Sequence, residues 1–512
     1  MSEGDKVFAN EAAGARLLAA ISLLGLFFGA FLITDGTFDF FGVSRFGFAY
    51  NHYLLSILHG RLDIPPEVLG REAFYDAAGR AYAYYGVFPA FLRLPFLPFL
   101  DLTAVCVSRA VVFACVAATG LLAQSLVRRT VRAATAGNRL DLGLLASGSV
   151  LVWFASPVTF LFGNASIYHE TVVTGLLGVV VFAWLVLDDL LVKGRPRPAS
   201  PVLLAVIAGV VLHCRPTLAI GLYVCVGAFC LLNALDTYAA ERGQGRGAAA
   251  SAARALLSPR GVLLPMLVLF AFGCVVLFMN WVRWGNMFTS APMERYGYYL
   301  GGETSTGRMQ NFLQQGRFNI RRILPSIFFN LFGIDPTFCY TDYFFGIGQA
   351  FCNTVYAKTM QFFGTGTMRV EDNFSLLLLW GPWLVVAAWV LLSRAPSCLE
   401  GRARTTLRVL VLSLCVSCVL MLSYPTVTMR YKAEYWTPLF VAFCLFACAA
   451  ARGAARFWTR PLPRRLFFVL VAVAVACNLA FAVRYRLSWV SLSSDTSHFR
   501  ALLAAWASWR LH

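Results

Sequence analysis

Two carboxylates stand directly after an apolar run, in Asp35-Gly-Thr-Phe-Asp39. A carboxylate at the mouth of an apolar segment is partly desolvated, which suits a base that takes a proton from an incoming hydroxyl. The same placement fits a plain helix cap, and the spacing does not choose between Asp35 and Asp39. A second polar group, Tyr168-His169-Glu170, opens a later apolar segment. Val173 stands where H-E-x-x-H needs its second His, so this is not a zinc helix. Glu170 is a third candidate base; its plain reading is an acid near the positive end of a helix.

Cations complete the set. Arg215-Pro216 and Arg430-Tyr431 lie at the ends of further apolar segments. Arg283, Arg295, Arg317, Arg321 and Arg322 fall in a long aromatic stretch. The guanidinium fork matches phosphate oxygens, so Arg residues at bilayer depth suit a phosphorylated headgroup; their plain reading is snorkelling. The candidate substrate-binding residues are Tyr168, His169, Arg215, Arg283, Arg295, Arg430 and Tyr431.

Helices in a membrane must position these residues. The chain has 512 residues, is 59% hydrophobic and only 13% charged. Soluble domains carry about 25% charged residues. Apolar runs of roughly spanning length predict about eleven transmembrane helices, at 16–34, 102–126, 141–163, 171–191, 201–215, 217–235, 262–282, 374–393, 409–423, 434–451 and 466–483. His213-Cys-Arg-Pro216 reads as a turn between two spans, because a mid-bilayer Arg is costly and Pro breaks helices. Every second short loop is basic: Arg128 to Arg139, Lys193 to Arg197, Arg242 to Arg260, Arg394 to Arg408 and Arg452 to Arg465. The positive-inside rule makes these loops and the N-terminus cytoplasmic. The first apolar run, long enough to span and without a small-x-small cleavage site, reads as an uncleaved anchor.

Two long segments, 35–101 and 283–373, then lie outside as extracytoplasmic loops of one polytopic membrane domain. Phe46 to Leu62 and Met309 to Leu331 have the spacing of helices lying flat at the interface. Tyr82 to Pro89 is an aromatic strip leading to the second span. The fold class is all-α and integral to the membrane.

Several classes are excluded. The net charge of +18 sits in short inter-span loops, so no nucleic-acid partner is expected. Gly301 to Gly307 lacks the Lys of a P-loop, and no dinucleotide fingerprint follows a strand. The chain is not expected to use ATP or a nucleotide sugar directly. Most of the 14 cysteines lie in apolar runs as small hydrophobes, and Cys415-x-x-Cys418 falls within a span. Cys339 and Cys352, in the second outside loop, could form a disulfide. No metal cluster is visible.

Further motifs join these residues in a familiar order. "AYNHYLLSILHGRLDIP" and "GRAYAYYGVFPAFLRLPF" precede the second span, "IYHE" opens the fourth, and "HCRPT", "NWVRWGNMFTSAPMERYGYY" and "MRYKAEYWTPLF" follow. This series resembles the bacterial membrane glycosyltransferases of the GT-C superfamily, the protein-mannosyltransferase-like group, over most of the chain. The resemblance implies an inner-membrane enzyme with a periplasmic or extracellular active site. It would move a sugar from a polyprenyl-phosphate carrier to a lipid, glycan or protein acceptor with inversion. It also implies a catalytic acid in the first outer loop, matching Asp35 or Asp39. This chain lacks the adjacent Asp-Glu pair common there, which keeps Glu170 in contention. A phosphate leaves readily, so a divalent cation is optional. The competing classes are a transporter or lipid flippase, which needs mid-span charges and paired broken helices, and a glycan polymerase or ligase of another membrane fold. No internal repeat is evident, against the transporter.

Overall fold

In the computed structural model the described residues are 3–135, 139–257, 261–289, 291–297, 314–334, 349–364, 368–371, 373–393, 399 and 401–490. Eleven apolar helices dominate them: α1 Glu3–Ile33, α2 Ser108–Thr135, α3 Leu142–Phe154, α4 Ile167–Leu187, α5 Pro201–Leu212, α6 Pro216–Gly243, α7 Leu263–Trp284, α8 Leu376–Leu392, α9 Gly401–Leu422, α10 Lys432–Ala451 and α11 Pro461–Val490. Among the described residues nine helical segments are long and apolar enough to cross a membrane, while α5 and α8 are shorter. All eleven fall on the apolar runs of the sequence. Several extend past them at the basic end, as α9 does through Arg402, Arg404 and Arg408. Hydropathy registers only the apolar middle, whereas backbone hydrogen bonding carries the helix on into the Arg-rich turn.

The centre of the bundle is α2 and α10, which pack on each other and on both α3 and α4. On α7, Leu264, Leu267, Phe270 and Phe278 remain exposed among the described residues, an apolar face suited to lipid. Two breaks in the spans are resatisfied from neighbouring helices. Pro157 interrupts α3 before the short helix Pro157–Leu161, and the Ala155 carbonyl accepts from Trp383 Nε1 of α8 at 2.6 Å. Pro382 kinks α8 at Trp380, and Asn478 Nδ2 of α11 donates to the Leu379 carbonyl at 2.7 Å. A backbone carbonyl freed inside a bilayer otherwise costs several kcal/mol.

The spans alternate in direction. The ends of α1, α5, α7 and α9 therefore lie beside the starts of α2, α4, α6, α8 and α10, on one face of the bundle. That face carries the helix Ala49–Leu58, inside the stretch 46–62 expected to be helical. It also carries the hairpin Phe74–Tyr75 with Ala81–Tyr82, and the parallel pair Arg369–Glu371 with Thr426–Thr428. In the second long segment, helix Ile323–Phe332 falls within the expected 309–331 helix apart from its last residue. Cys339 and the side chain of Cys352 lie outside the described residues.

Candidate active site

The first acid owes its position to how α1 ends. Gly36 N–H bonds the Phe31 carbonyl at 2.8 Å, closing the helix with a Schellman-type turn. That turn puts Asp35 in the left-handed region at φ +57°, a position that favours glycine. An Asp retained there points to a role for its carboxylate. Arg486 of α11 grips both of its oxygens, with Nε–Oδ1 at 2.7 Å and Nη2–Oδ2 at 2.6 Å. Arg109, in the first turn of α2, reaches Oδ2 at 3.4 Å. Asp39 is exposed; its Oδ1 accepts from Phe41 N–H at 2.9 Å, while no bond to Oδ2 is found among the described residues.

Glu170 occupies a different setting. It is fully buried, with Oε2 against Arg93 Nη2 at 2.5 Å and Oε1 accepting from Ser108 at 2.5 Å. Arg93 also donates to the Pro89 carbonyl at 2.9 Å and lies over the Tyr50 ring at 5.2 Å. This pair fastens the aromatic strip to α2 and α4.

Between these acids lies a cluster of phenols and guanidinium groups. Gly86 sets the strip close over the α5–α6 turn: a Cβ there would lie 2.1 Å from the His213 carbonyl oxygen. Phe88 N–H bonds that same carbonyl at 2.9 Å. Three phenols then converge on Glu72, from Tyr296 at 2.5 Å, Tyr85 at 3.4 Å and Tyr168. Burial, reinforced by neighbouring phenols and Glu72, pushes the Tyr85 hydroxyl well above its ordinary range. Burial and the Glu72 charge do the same for Tyr296.

Arg430 lies over the Tyr168 ring at 5.1 Å and the Tyr431 ring at 5.2 Å. Arg215 lies over Tyr431 at 4.8 Å and donates through Nε to Glu434 at 2.6 Å. Arg430 differs from Arg215 in one respect: its ion pair with Glu371, at 3.6 Å, exceeds hydrogen-bond length. Among the described residues no hydrogen bond to this guanidinium is found, only the two ring faces and the long Glu371 pair. His169 bonds Tyr485 at 2.6 Å, and Tyr485 precedes the Arg486 that holds Asp35.

Tyr168, His169, Arg215, Arg430 and Tyr431 thus meet in one cluster, and Asp35 adjoins it through Arg486 and Tyr485. Arg283 lies elsewhere, in the last turn of α7, buried over the Tyr53 ring at 5.5 Å. Arg295 is exposed in a short turn, beside Tyr296 but not in the cluster. Arg322 is buried on the carbonyls of Gly316 and Arg317, holding its own loop. Glu72 and Arg486 join the cluster from outside every quoted motif; Tyr85, Tyr296 and Glu434 lie within quoted motifs but were not singled out as candidates.

No family model matches the chain, and no curated protein matches it. Among solved structures it is similar to the oligosaccharyltransferase of Archaeoglobus fulgidus in the apo form, with a TM-score of 0.41 and 12% identity over 92% of this chain and 56% of that one. It is also similar to the same enzyme tethered to an acceptor peptide containing the NVT sequon, with a TM-score of 0.40 and 12% identity over 92% and 55%. A third similar structure is the archaeal oligosaccharyltransferase AglB from that organism with an inhibitory peptide and a dolichol-phosphate, with a TM-score of 0.39 and 10% identity over 92% and 56%. The chain spans about half the length of these structures.

Proposed function

We propose that this chain is a GT-C-type glycosyltransferase of the inner membrane, moving a sugar from a polyprenyl-phosphate carrier to an extracytoplasmic acceptor. The observation that carries the reading is Arg430: a buried guanidinium with no hydrogen bond found among the described residues, beside Arg215, on the same face of the bundle as the Asp35–Asp39 turn. An anion held there by charged hydrogen bonds would be a phosphate at the edge of the lipid. The ordered motif series supports the same assignment.

Asp39 is the better base of the three acids, because one of its oxygens is uncommitted and reachable. Asp35 is spent on Arg486 and Arg109 and fixes the turn that presents Asp39. Glu170 is closed off by Arg93 and Ser108 and acts as a structural pair. In the reaction, Asp39 accepts the proton of the acceptor hydroxyl as its oxygen attacks the anomeric carbon from the face opposite the carrier. The bond between that carbon and the phosphate oxygen breaks, its electron pair leaves with the lipid phosphate, and Arg430 stabilises the charge that develops. Tyr168 and Tyr431 hold Arg430 from the sides. The donor set does not favour a metal ion: Asp35 has both oxygens engaged by Arg486, and among the described residues no group of three His, Cys, Asp or Glu gathers. No step here is therefore given to a cation.

The experiment is retention of a labelled polyprenyl-phosphate sugar by the full chain in nanodiscs, for wild type, Arg430→Gln and Arg295→Gln. Loss of one charged phosphate contact weakens binding about ten- to a hundredfold in Arg430→Gln. Arg295→Gln binds as wild type. Equal retention by all three removes the phosphate role of Arg430.

A further inference from the structure

A cavity opens at the other end of the bundle from the candidate site, between α1 and the last turns of α2. It has a volume of ≈ 860 Å³, within the size range of ligand pockets. Its α1 wall runs from Ala15 to Ser22, about 17–27 Å along the helix from Ile33 at 1.5 Å per residue. It is therefore separate from the candidate active site.

Arg128, Arg129 and Arg132 line the cavity together with Leu18, Ala19 and Leu121. No carboxylate is among the described residues that line it. Arg129 spends Nε on Asp188 at 2.7 Å, and Asp188 is shared with Lys193 at 2.9 Å. Arg132 has a long, mostly exposed pair with Glu11 at 3.3 Å. Arg128 has no ion pair among the described residues. The polar groups at depth are satisfied within the protein: Gln124 accepts from Ser22 and from Trp153 Nε1 at 3.2 Å, and Ser125 accepts from Trp184 Nε1 at 3.0 Å. What the cavity offers a ligand is thus the Arg128 guanidinium, with the partly engaged Arg129 and Arg132 beside it, alongside the aliphatic side chains of Leu18, Ala19 and Leu121.

We infer that this cavity binds the phosphodiester headgroup and first acyl carbons of an anionic phospholipid. Basic pockets between transmembrane helices recognise such headgroups by charge and by their closeness to the interface. The sign rule for loops explains why arginines gather at this end, but it needs no cavity; a cavity lined by arginines and aliphatic side chains together is what points to a bound molecule. An anchored lipid here would fill the seam between α1 and α2, whose far ends carry Asp35 and Arg109.

The test is native mass spectrometry of the full chain in detergent, titrated with phosphatidylglycerol, phosphatidylcholine or soluble glycerophosphate. Wild type binds phosphatidylglycerol at least about tenfold more tightly than phosphatidylcholine, and glycerophosphate does not compete. Arg128→Gln/Arg132→Gln loses that preference, while the equally charged control Arg408→Gln/Arg456→Gln keeps it. Ala19→Phe adds bulk to the lining with every arginine intact and also lowers affinity, so the outcome does not depend on the charge variants folding. Equal binding of both lipids, an unchanged Ala19→Phe, an equal loss in the control pair, or competition by glycerophosphate would each overturn the assignment.

Discussion

Arg486→Gln removes the fork that holds Asp35 and tests how the site is kept in place. Arg486 and Asp35 are 6% and 15% exposed at the side chain and are joined by two short bonds. Breaking a fully buried pair costs about 3–5 kcal/mol. Asp35 is partly solvated and keeps Arg109 at 3.4 Å, so the expected loss here is about 1–3 kcal/mol. The turn is already in a conformation that costs a non-glycine residue about 1 kcal/mol or more. Without Arg486 it should relax and draw Asp39 with it. Asp35→Asn, Arg486→Gln and the double variant, unfolded in detergent, form a double-mutant cycle. The double variant should lose little more than either single, giving a coupling of about 1–2 kcal/mol. Transfer should fall in Arg486→Gln even in the folded fraction. Single losses that add to within about 0.5 kcal/mol would refute the clasp.

Further outcomes follow from other parts of the site. Glu170→Gln should destabilise the protein, since it unbalances a fully buried pair, yet its folded fraction should keep kcat within about tenfold; a loss beyond about a hundredfold in folded protein would return Glu170 to the role of base. Gly86→Ala places a Cβ on the His213 carbonyl and should cost about 1–3 kcal/mol, with transfer reduced because the phenol strip is displaced; wild-type activity would refute that packing. The Tyr85 and Tyr296 phenols are raised by burial, so they stay neutral in the folded protein where the unfolded chain would ionise. Their contribution to stability is full below the unfolded value of about 10 and declines as pH rises above it. Stability measured from pH 8 to 11 should fall over the upper part of that range in wild type, and less in Tyr85→Phe/Tyr296→Phe. An equal decline in both proteins would remove the phenols as its cause.

The helices were legible because a span is defined by length and hydropathy, which need no tertiary knowledge. Asp35 and Glu170 read alike, as acids at span ends. What separates them is Arg486, far along the chain, and Arg93, hidden in an aromatic strip. No local pattern carries either pairing. Glu72 was missed for the same reason: its importance comes from Tyr168 and Tyr296, brought to it by the fold. Arg430 was singled out as an Arg at a span end suited to a phosphate, and Arg295 as an Arg of the second long loop; only the fold sets the first in the cluster and leaves the second exposed.

The most direct measurement is transfer of labelled sugar from a polyprenyl-phosphate donor in proteoliposomes, comparing wild type with Asp39→Asn. Wild type should yield a new glycosylated product of inverted anomeric configuration. Asp39→Asn should still bind donor but turn over about 10²- to 10⁴-fold more slowly, the usual worth of a positioned base. Full turnover by Asp39→Asn, or movement of lipid across the bilayer by wild type with no covalent product, would contradict the account.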